Sequence, residues 1–410
     1  MHESLPAAAI IMSAPHAVIA GAGIGGLTTA ICLAHRGWQV SVFEKAKFLD
    51  ETGAGLQLSP NAGAILHRLG ILDRLARFAL RPKAIAVRRA RDGATLARMP
   101  LEDAESRWGA PYLVVHRADL QRALLEAAAS EPAISITAGA AVTGIEQNAN
   151  KVLVSLGQGA KVSKFEGDCL IGADGVRSFV RRNLGLGCAR FAHKTAWRAL
   201  AEASHVPAAI RGEEATLWLG RGAHLVHYPL RGGSVVNIVA IVNEDFCPGE
   251  ENFWSSPGDA SVLEMRFRGW HQLARELLRS APEWRKWPLF ECGPLAKWVC
   301  GRVTLMGDAA HAMLPFLAQG AAQAIEDAGA LSAALAQGND IAARLRTYQA
   351  MRQARTARVH NASRRQGAIY HLAGPAAFVR DIALRSLSGQ KMLTRYDWLY
   401  NPHSVSRPNA

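Results

Sequence analysis

The feature that most constrains the fold is a glycine-rich turn near the beginning of the chain, GAGIGG at residues 21–26. A short apolar run precedes it, a helix-like run of small residues follows it, and a second apolar run ends at Glu44. Strand, tight turn, helix, strand and acid, in that order, are typical of the first unit of a doubly wound sheet that binds a dinucleotide. We therefore predict an α/β fold.

Each glycine of this turn has a separate physical purpose. Gly21 permits the tight turn, Gly23 lets the backbone approach a pyrophosphate, and Gly26 lets the helix pack closely on the strand. The unpaired N–H groups at the helix start attract phosphate. Glu44 follows at the distance where a carboxylate accepts hydrogen bonds from ribose hydroxyls. The motif does not distinguish FAD from NAD.

Two more strand ends carry a glycine and an acid. The strand at 168–171 runs into GADG with Asp174, and the strand at 303–306 runs into Gly307–Asp308. Because the carboxyl ends of parallel strands gather on one edge of a sheet, a single dinucleotide contacted from all three ends accounts for them. For Asp174 the alternative is an ordinary surface turn, since Asp-Gly is a common turn signal.

The connection that follows Asp308 is unusually long. About a dozen residues, including Pro315 and Gln319–Gly320, separate it from the next helix-like segment, where a handful is usual. A loop of this length and composition is predicted to follow the outline of a ligand.

Charge and cysteine content narrow the functional class. The formal net charge is +13, but the basic residues are scattered, which disfavours a nucleic-acid partner and favours attraction of small anions. The six cysteines have no metal-site spacing, so we expect no metal and reduced thiols in a cytoplasmic protein. No apolar run reaches the length of a membrane span. No signal peptide is expected, and either Met1 or Met12 is the start.

Together, Gly21–Gly26, the GADG around Asp174, and GDAAH (307–311) followed by Pro315 resemble the three fingerprints of single-component FAD-dependent aromatic hydroxylases. These are the flavoprotein monooxygenases related to para-hydroxybenzoate hydroxylase. Five more segments are similar to the subgroup of salicylate hydroxylase, 3-hydroxybenzoate 6-hydroxylase and 6-hydroxynicotinate 3-monooxygenase. They are GAGLQLSPNA (53–62), HRADL (116–120), TAWRAL (195–200), HLVHYPLRGG (224–233) and PFLAQGAAQAIEDA (315–328).

The resemblance implies a Rossmann-like FAD-binding domain with an inserted β-sheet substrate domain and C-terminal helices. The apolar–polar alternation from 196 to 243 independently favours an antiparallel sheet, and the segment 81–100 favours a hairpin that joins it. The predicted domain bounds are 12–80, 101–190 and 290–340 for the FAD domain, 81–100 and 191–289 for the substrate domain, and 341–410 for the helices.

The resemblance also assigns cofactor contacts. The turn residues would enclose the FAD pyrophosphate, Glu44 would hold the adenosine ribose, and Asp308 would bind the ribityl chain. The helix start near Gly320 would face the pyrimidine end of the flavin, where a positive dipole stabilises the anionic reduced ring. The predicted FAD-binding residues are Gly21, Gly23, Ile24, Gly25, Gly26, Glu44, Lys45, Arg117, Asp174, Asp308, Pro315, Gln319, Gly320 and Ala321. Asp174 would also meet the transient NADH or NADPH.

The implied reaction is hydroxylation of a small, anionic phenolic acid or hydroxypyridine-type aromatic by NAD(P)H and O2, through a C4a-hydroperoxyflavin. His227 is the candidate base or hydrogen-bond partner, since deprotonation makes the ring a better nucleophile. The alternative is a packed histidine of the sheet. Gln57, Tyr228 and Pro315 complete the predicted substrate site. Gln57 stands where some relatives carry a second histidine, and its amide does not transfer protons.

Other functions stay open on the sequence. The same fold oxygenates larger terpenoid or polyketide substrates in some relatives, and a flavin-free NAD-dependent Rossmann dehydrogenase shares the first motif. A binding protein without catalysis is a third class. The sequence does not choose the substrate, the regiochemistry, decarboxylation, NADH or NADPH, or monomer or homodimer.

Overall fold

A computed structural model describes residues 14–47, 54–159, 161–245 and 255–401. The proposed start at Met12 and the first residue of the 53–62 motif lie outside these ranges. Within them the chain forms a mostly parallel sheet, a larger mixed sheet and two small sheets, with helices packed around them.

The first sheet is parallel except at one edge and contains all three glycine-acid motifs. Its spatial order is β18-β19-β11-β1-β2-β7. The strands are β1 (His16–Ala20), β2 (Gln39–Glu44), β7 (Ile134–Ala138), β11 (Cys169–Gly172), β18 (Val299–Cys300) and β19 (Val303–Leu305). Ala20 pairs with Gly172, and Gly172 pairs with Leu305. The three predicted strand ends are therefore neighbours, as the α/β prediction requires.

The second sheet is larger and mostly antiparallel, in the order β16-β17-β12-β15-β14-β13-β4-β5. Its strands are β4 (Ala84–Arg89), β5 (Thr95–Pro100), β12 (Arg190–Glu202), β13 (Glu214–Gly220), β14 (Ala223–Leu230), β15 (Val235–Asn243), β16 (Ser256–Gly258) and β17 (Trp284–Glu291). The hairpin β4–β5 joins the sheet through parallel pairing of β4 with β13, so its prediction is confirmed. The domain bounds themselves stay a proposal.

Two small sheets complete the strands: β8 (Ala141–Gln147), β9 (Val152–Gln158) and β10 (Lys161–Gly167) in one, and β3 (Gly55–Leu58) with β6 (Leu113–His116) in the other. The helices are α1 (Ile24–Ala34), α2 (Pro60–Arg68), α3 (Ile71–Leu75), α4 (Ala104–Trp108), α5 (Arg117–Ala129), α6 (Phe179–Asn183), α7 (Ala260–Arg266), α8 (Gln272–Arg279), α9 (Asp308–His311), α10 (Gly320–Leu335), α11 (Ile341–Tyr370), α12 (Gly374–Ser386), α13 (Gly389–Thr394) and α14 (Asp397–Tyr400). Across the described ranges, none of them combines the length and apolarity needed to cross a bilayer.

The two large sheets are buried differently. The central strands of the first sheet are mostly apolar, and Ile19, Val42 and Ile171 are fully enclosed, because a parallel sheet is covered on both faces. The second sheet has two distinct faces. On one of them, Leu225 of β14 packs in a core with Trp218 and with Phe267, just beyond α7. Its other face turns toward the first sheet, and the cavity described next lies between them.

Candidate active site

A cavity of about 310 Å³ lies where the strand ends of the first sheet meet the second sheet. The glycine turn, the turn after β11 and the long loop after β19 line one side, and β12, β14 and β15 line the other. Ten of the predicted site residues border it: Gly23, Ile24, Gly25, Gln57, Arg117, Tyr228, Asp308, Pro315, Gly320 and Ala321. The structure therefore brings together motifs that are almost 300 residues apart (21 to 320) in the sequence.

The glycine turn has the geometry that its sequence predicts. Gly21 has φ 108°, a conformation that favours glycine, and its N–H donates to the carbonyl of Phe43 at 2.8 Å. A Cβ on Gly26 would lie 2.0 Å from the carbonyl oxygen of Gly21. Around Gly23, by contrast, a Cβ would meet nothing within 4 Å. The open space beside Gly23 lies on the cavity side, where a pyrophosphate is expected.

The acids at the strand ends differ in what they bind within the chain. Both carboxylate oxygens of Glu44 accept backbone N–H groups, from Ala22 and Ala46, each at 2.9 Å. Asp174 accepts the N–H of Val180 with one oxygen, but its other oxygen, Oδ1, is enclosed and has no partner among the described residues. The cavity is lined by its neighbours Ala173 and Gly175 but not by Asp174 itself, so the predicted cofactor contact of Asp174 stays a proposal.

The long loop bends around the cavity at three points. Gly307 turns the chain with φ 55°, Asp308 and Pro315 border the cavity, and α10 begins at Gly320. The first N–H groups of α10 have no partner within the helix, and Gly320 and Ala321 line the cavity. An anionic ring placed there is stabilised by the helix dipole.

These observations fit FAD. The open space at Gly23 and the start of α1 suit a phosphate, and the start of α10 suits an anionic ring. The contact predicted for Gln319 is one made by the backbone at the start of α10, and its side chain points into the protein. Its Nε2 donates to Ser59 at 2.8 Å, and Asn61 donates to its Oε1 at 3.1 Å. Its predicted cofactor contact is therefore left to the backbone.

A buried network of charges, which is not among the predicted site residues, supports this loop. Arg352 of α11 is fully enclosed and donates to Glu326 and to Asp327, the latter at 2.7 Å. Asp327 also accepts the N–H of Gly307 at 2.8 Å and bonds His311 at 2.6 Å. Burial alone would raise the pKa of Asp327, but His311 and Arg352 outweigh it and lower that pKa to about 2. The sequence feature that indicates this network is the charged pair Glu326–Asp327 in the otherwise apolar pattern of α10.

The prediction for His227 is corrected by the geometry of β14. Successive side chains of a strand point to opposite faces, and His224, Val226 and Tyr228 line the cavity. His227 therefore lies on the opposite face, near Trp218 with a ring separation of 6.5 Å. Burial, with a contribution from Arg88, lowers the pKa of His227 to about 3. It is a packed histidine of the sheet, which was the alternative interpretation.

His224 is the histidine that faces the cavity. Its Nδ1 lies 2.8 Å from Nε2 of His371, at the end of α11, and its ring contacts Phe316 and Tyr370. Burial, with smaller effects of His371 and Lys194, holds the pKa of His224 well below 6.5. Its position was available from the sequence, because Tyr228 was predicted to face the substrate and His224 is an even number of residues away.

Other polar groups complete the cavity wall. Tyr112 donates to Oε1 of Gln57 at 2.7 Å, which fixes the amide orientation. Asn237 does not line the cavity itself but lies directly behind Gly55, which does. It is fully buried, accepts the N–H of Gly55 at 2.7 Å and leaves its Nδ2 without a partner among the described residues. Arg198 borders the same cavity and stacks on Trp287. Trp197, its neighbour in β12, packs on the opposite face.

A second cavity, of about 120 Å³, adjoins the first and shares Gln57, His224 and Pro315 with it. Its remaining wall consists mainly of aliphatic side chains and of tyrosines from the C-terminal helices. No charged side chain lines it within the described ranges.

Comparison with known proteins agrees with this geometry. Residues 15–363 match the family model described as FAD binding domain. The chain is 37% identical to 3-amino-4-hydroxybenzoate 2-monooxygenase PtmB3 of Streptomyces platensis, over 94% of this chain and 96% of that protein. It is 35% identical to 3-hydroxybenzoate 6-hydroxylase of Polaromonas naphthalenivorans, over 93% and 95%. Klebsiella pneumoniae HpxO complexed with FAD and uric acid superposes with a TM-score of 0.81, at 28% identity over 93% and 95%.

Proposed function

Since this chain belongs to the FAD-binding-domain family of flavin-dependent aromatic hydroxylases, we propose that it hydroxylates a small phenolic acid or hydroxypyridine-type aromatic with NAD(P)H and O2. The observation that carries the proposal is the shared cavity. Three cofactor motifs border one side of it, and His224, Tyr228 and Arg198 border the other.

The cofactor would be held by the residues that fit it. The glycine turn and α1 would receive the pyrophosphate, Asp174 and Asp308 the hydroxyl-bearing chain, and the start of α10 the ring. Gly21 and Gly26 would shape this turn, and Lys45 would add a local backbone contact. Glu44 would hold the adenosine ribose, and Arg117 would reach the phosphate or ribitol region. When bound, FAD supplies the hydride acceptance and oxygen activation that side chains lack. The chain excludes water and orients the substrate.

Arg198 supports the proposal that the substrate carries an anionic group. Arg198 pairs with Val239, which pairs with Val226, while His224 lies two residues further along β14. The Arg198 and His224 backbones are therefore offset by two strand spacings across the sheet and by two residues along it, which corresponds to about 12 Å. With both side chains reaching inward, one substituted ring fits between them. We propose that Arg198 binds the carboxylate.

His224 is proposed to contact the ring oxygen of the substrate. A hydrogen bond to that oxygen stabilises the phenolate, and the phenolate ring is the stronger nucleophile. His224 takes this role in place of His227, while Gln57, Tyr228 and Pro315 keep their predicted places around the substrate.

The test combines cofactor content with a matched substrate panel. The purified protein is expected to carry FAD or take it up, and hydroxybenzoates are expected to accelerate NAD(P)H oxidation with hydroxylated product. Each acid is paired with its amide, which keeps the ring and removes the charge. A protein that binds no FAD overturns the reaction class. Equal turnover of acids and amides overturns the anionic substrate.

The second cavity favours a larger substrate as a second candidate. A space of about 120 Å³ with aliphatic walls accepts an apolar substituent on the ring. Alkyl-substituted hydroxybenzoates in the same panel test it. A rise in kcat/KM with chain length favours this candidate, and a steady fall removes it.

Oligomeric state and location are further proposals. We propose a monomer or homodimer. We also propose a cytoplasmic location, which is supported by five cysteines that are free in the described part of the chain. Gel filtration and cell fractionation test the two statements separately.

A further inference from the structure

The partner of the cavity histidine is itself firmly positioned. His371 follows α11 directly, and its carbonyl accepts the N–H of Gly222 at 3.3 Å, in the turn between β13 and β14. Its Nε2 lies 2.8 Å from Nδ1 of His224, two residues after Gly222. One backbone contact and one side-chain contact therefore hold the end of α11 against the strand that carries His224.

Both rings of this pair are uncharged near neutral pH. Burial, with His371 and Lys194 nearby, holds the pKa of His224 well below 6.5. Burial, with a further effect of Lys194, lowers the pKa of His371 to about 4. Lys194 is the cation beside both rings, and its ammonium is bonded to Asn243 at 2.6 Å. In a hydrogen bond between two neutral imidazoles, one ring donates and the other accepts.

The surroundings of His371 decide which ring donates. Its second nitrogen, Nδ1, is enclosed and has no hydrogen-bond partner among the described residues. An enclosed N–H without an acceptor is rarer and less favourable than an enclosed lone pair without a donor. The proton of His371 is therefore expected on Nε2, from which it is donated to Nδ1 of His224. His224 must then carry its own proton on Nε2, the nitrogen left for the cavity.

We propose that His371 is a positioning residue that fixes His224 in the Nε2–H tautomer, so that the cavity presents a hydrogen-bond donor selective for an oxyanion such as a phenolate or pyridinolate. This deepens the proposed function and rests on it for the substrate class. On this account His224 binds the substrate in its already ionised form. The substrate proton leaves to solvent and is not stored on the histidine.

The tautomer can be observed without turnover. In protein labelled with 15N at histidine, the shifts of the ring nitrogens report which of them is protonated. We expect His224 to have a bare Nδ1 in the wild type and in His371→Gln, whose amide N–H can donate in the same place. We expect a protonated Nδ1 in His371→Glu, whose carboxylate accepts. A protonated Nδ1 in the wild type, or no difference between the two variants, overturns the proposal.

Proton release on ligand binding gives the second readout. The probe is 4-nitrophenol, because its phenolate absorbs in the visible, and the pH is set about one unit below the pKa of the free ligand. Donation by His224 predicts a bound phenolate with nearly one proton released per ligand, in the wild type and in His371→Gln. A bound phenolate without proton release means that His224 took the proton, which overturns the proposal. We expect that behaviour in His371→Glu.

The two failures are distinguishable. If the protein binds no phenol, the substrate class proposed above fails, while the 15N shifts of the ligand-free protein still decide the tautomer. The buried ring of His227, on the opposite face of the sheet, serves as an internal reference whose shifts should not respond to substitution at 371.

Discussion

Polar side chains are buried in opposite charge states on the two sides of the cavity. The cofactor side is the first sheet with its loops, and the substrate side is the second sheet with the end of α11. Behind the loop that follows β19, Arg352, Glu326 and Asp327 are charged and enclosed, and both carboxylates are bonded to the Arg352 guanidinium. On the substrate side, His224 and His371 are kept neutral by burial. Charged pairs hold a backbone in one geometry, whereas neutral groups leave the charge of the site to its ligand. The cofactor side is thus suited to fixing the position of its loop, and the substrate side to distinguishing ligands by their charge.

The largest expected effects come from two substitutions in the glycine turn, one that prevents folding and one that weakens only FAD binding. Gly26→Ala places a Cβ against the carbonyl of Gly21, so we expect little folded protein. Gly23→Ala meets no atom of the chain, so we expect a normal thermal melt with FAD bound at least about tenfold more weakly. Circular dichroism and flavin absorbance measure the two effects. Equal FAD content in Gly23→Ala and wild type would mean that the open space is not a cofactor site.

The charged network should be the more fragile side when one member is removed. Arg352→Met leaves two buried carboxylates short of a partner, and we expect a loss of about 3–5 kcal/mol in the free energy of unfolding. Arg346→Met, an exposed position on the same helix, is the control and should change stability by less than about 0.5 kcal/mol. Denaturant titration measures both. A small loss at Arg352 would show that the network does not fix the loop.

Acid should weaken the cofactor side through Asp327. Its pKa is about 2 in the folded chain and 3.8 for the free group, so its stabilisation is complete above about pH 4. As the pH falls from 4 to 2, about 2 kcal/mol of that stabilisation is lost. Asp327→Asn cannot titrate, so the wild type should lose more stability than this variant over that interval. Parallel curves for the two proteins would refute the assignment.

The smallest predicted effect concerns discrimination on the substrate side. Arg198→Met should raise KM for a hydroxybenzoate by about 10-fold or more, because a charge-assisted contact is lost. The matched amide should be affected much less, and FAD content should not change. If acid and amide lose affinity equally, Arg198 shapes the cavity without binding the charge.

Most of the cofactor side was predictable from the sequence, because its motifs are local and their backbone requirements are strict. Gly21 needs a positive φ, and the strand-end acids follow their strands directly. The charged pair Glu326–Asp327 in the apolar pattern of α10 indicates that a buried network exists. Its partners were not predictable, since Asn61 and Arg352 meet this pair only after folding. On the substrate side, the sheet was predicted correctly, but the facing histidine was not. Because side chains alternate along a strand, His224 is expected on the same face as Tyr228. No motif near His371 indicates that it contacts His224.

We propose that the substrate ring is hydroxylated in the cavity between Pro315 and His224. The most direct measurement compares substrate-dependent product formation in His224→Ala and His227→Asn, two histidines three residues apart on opposite faces of one strand. We predict a loss of about 10- to 100-fold for His224→Ala, from a lost hydrogen bond to a charged oxygen, with FAD retained. His227→Asn should stay within about threefold of the wild type. The reverse pattern, or equal losses, would contradict the account.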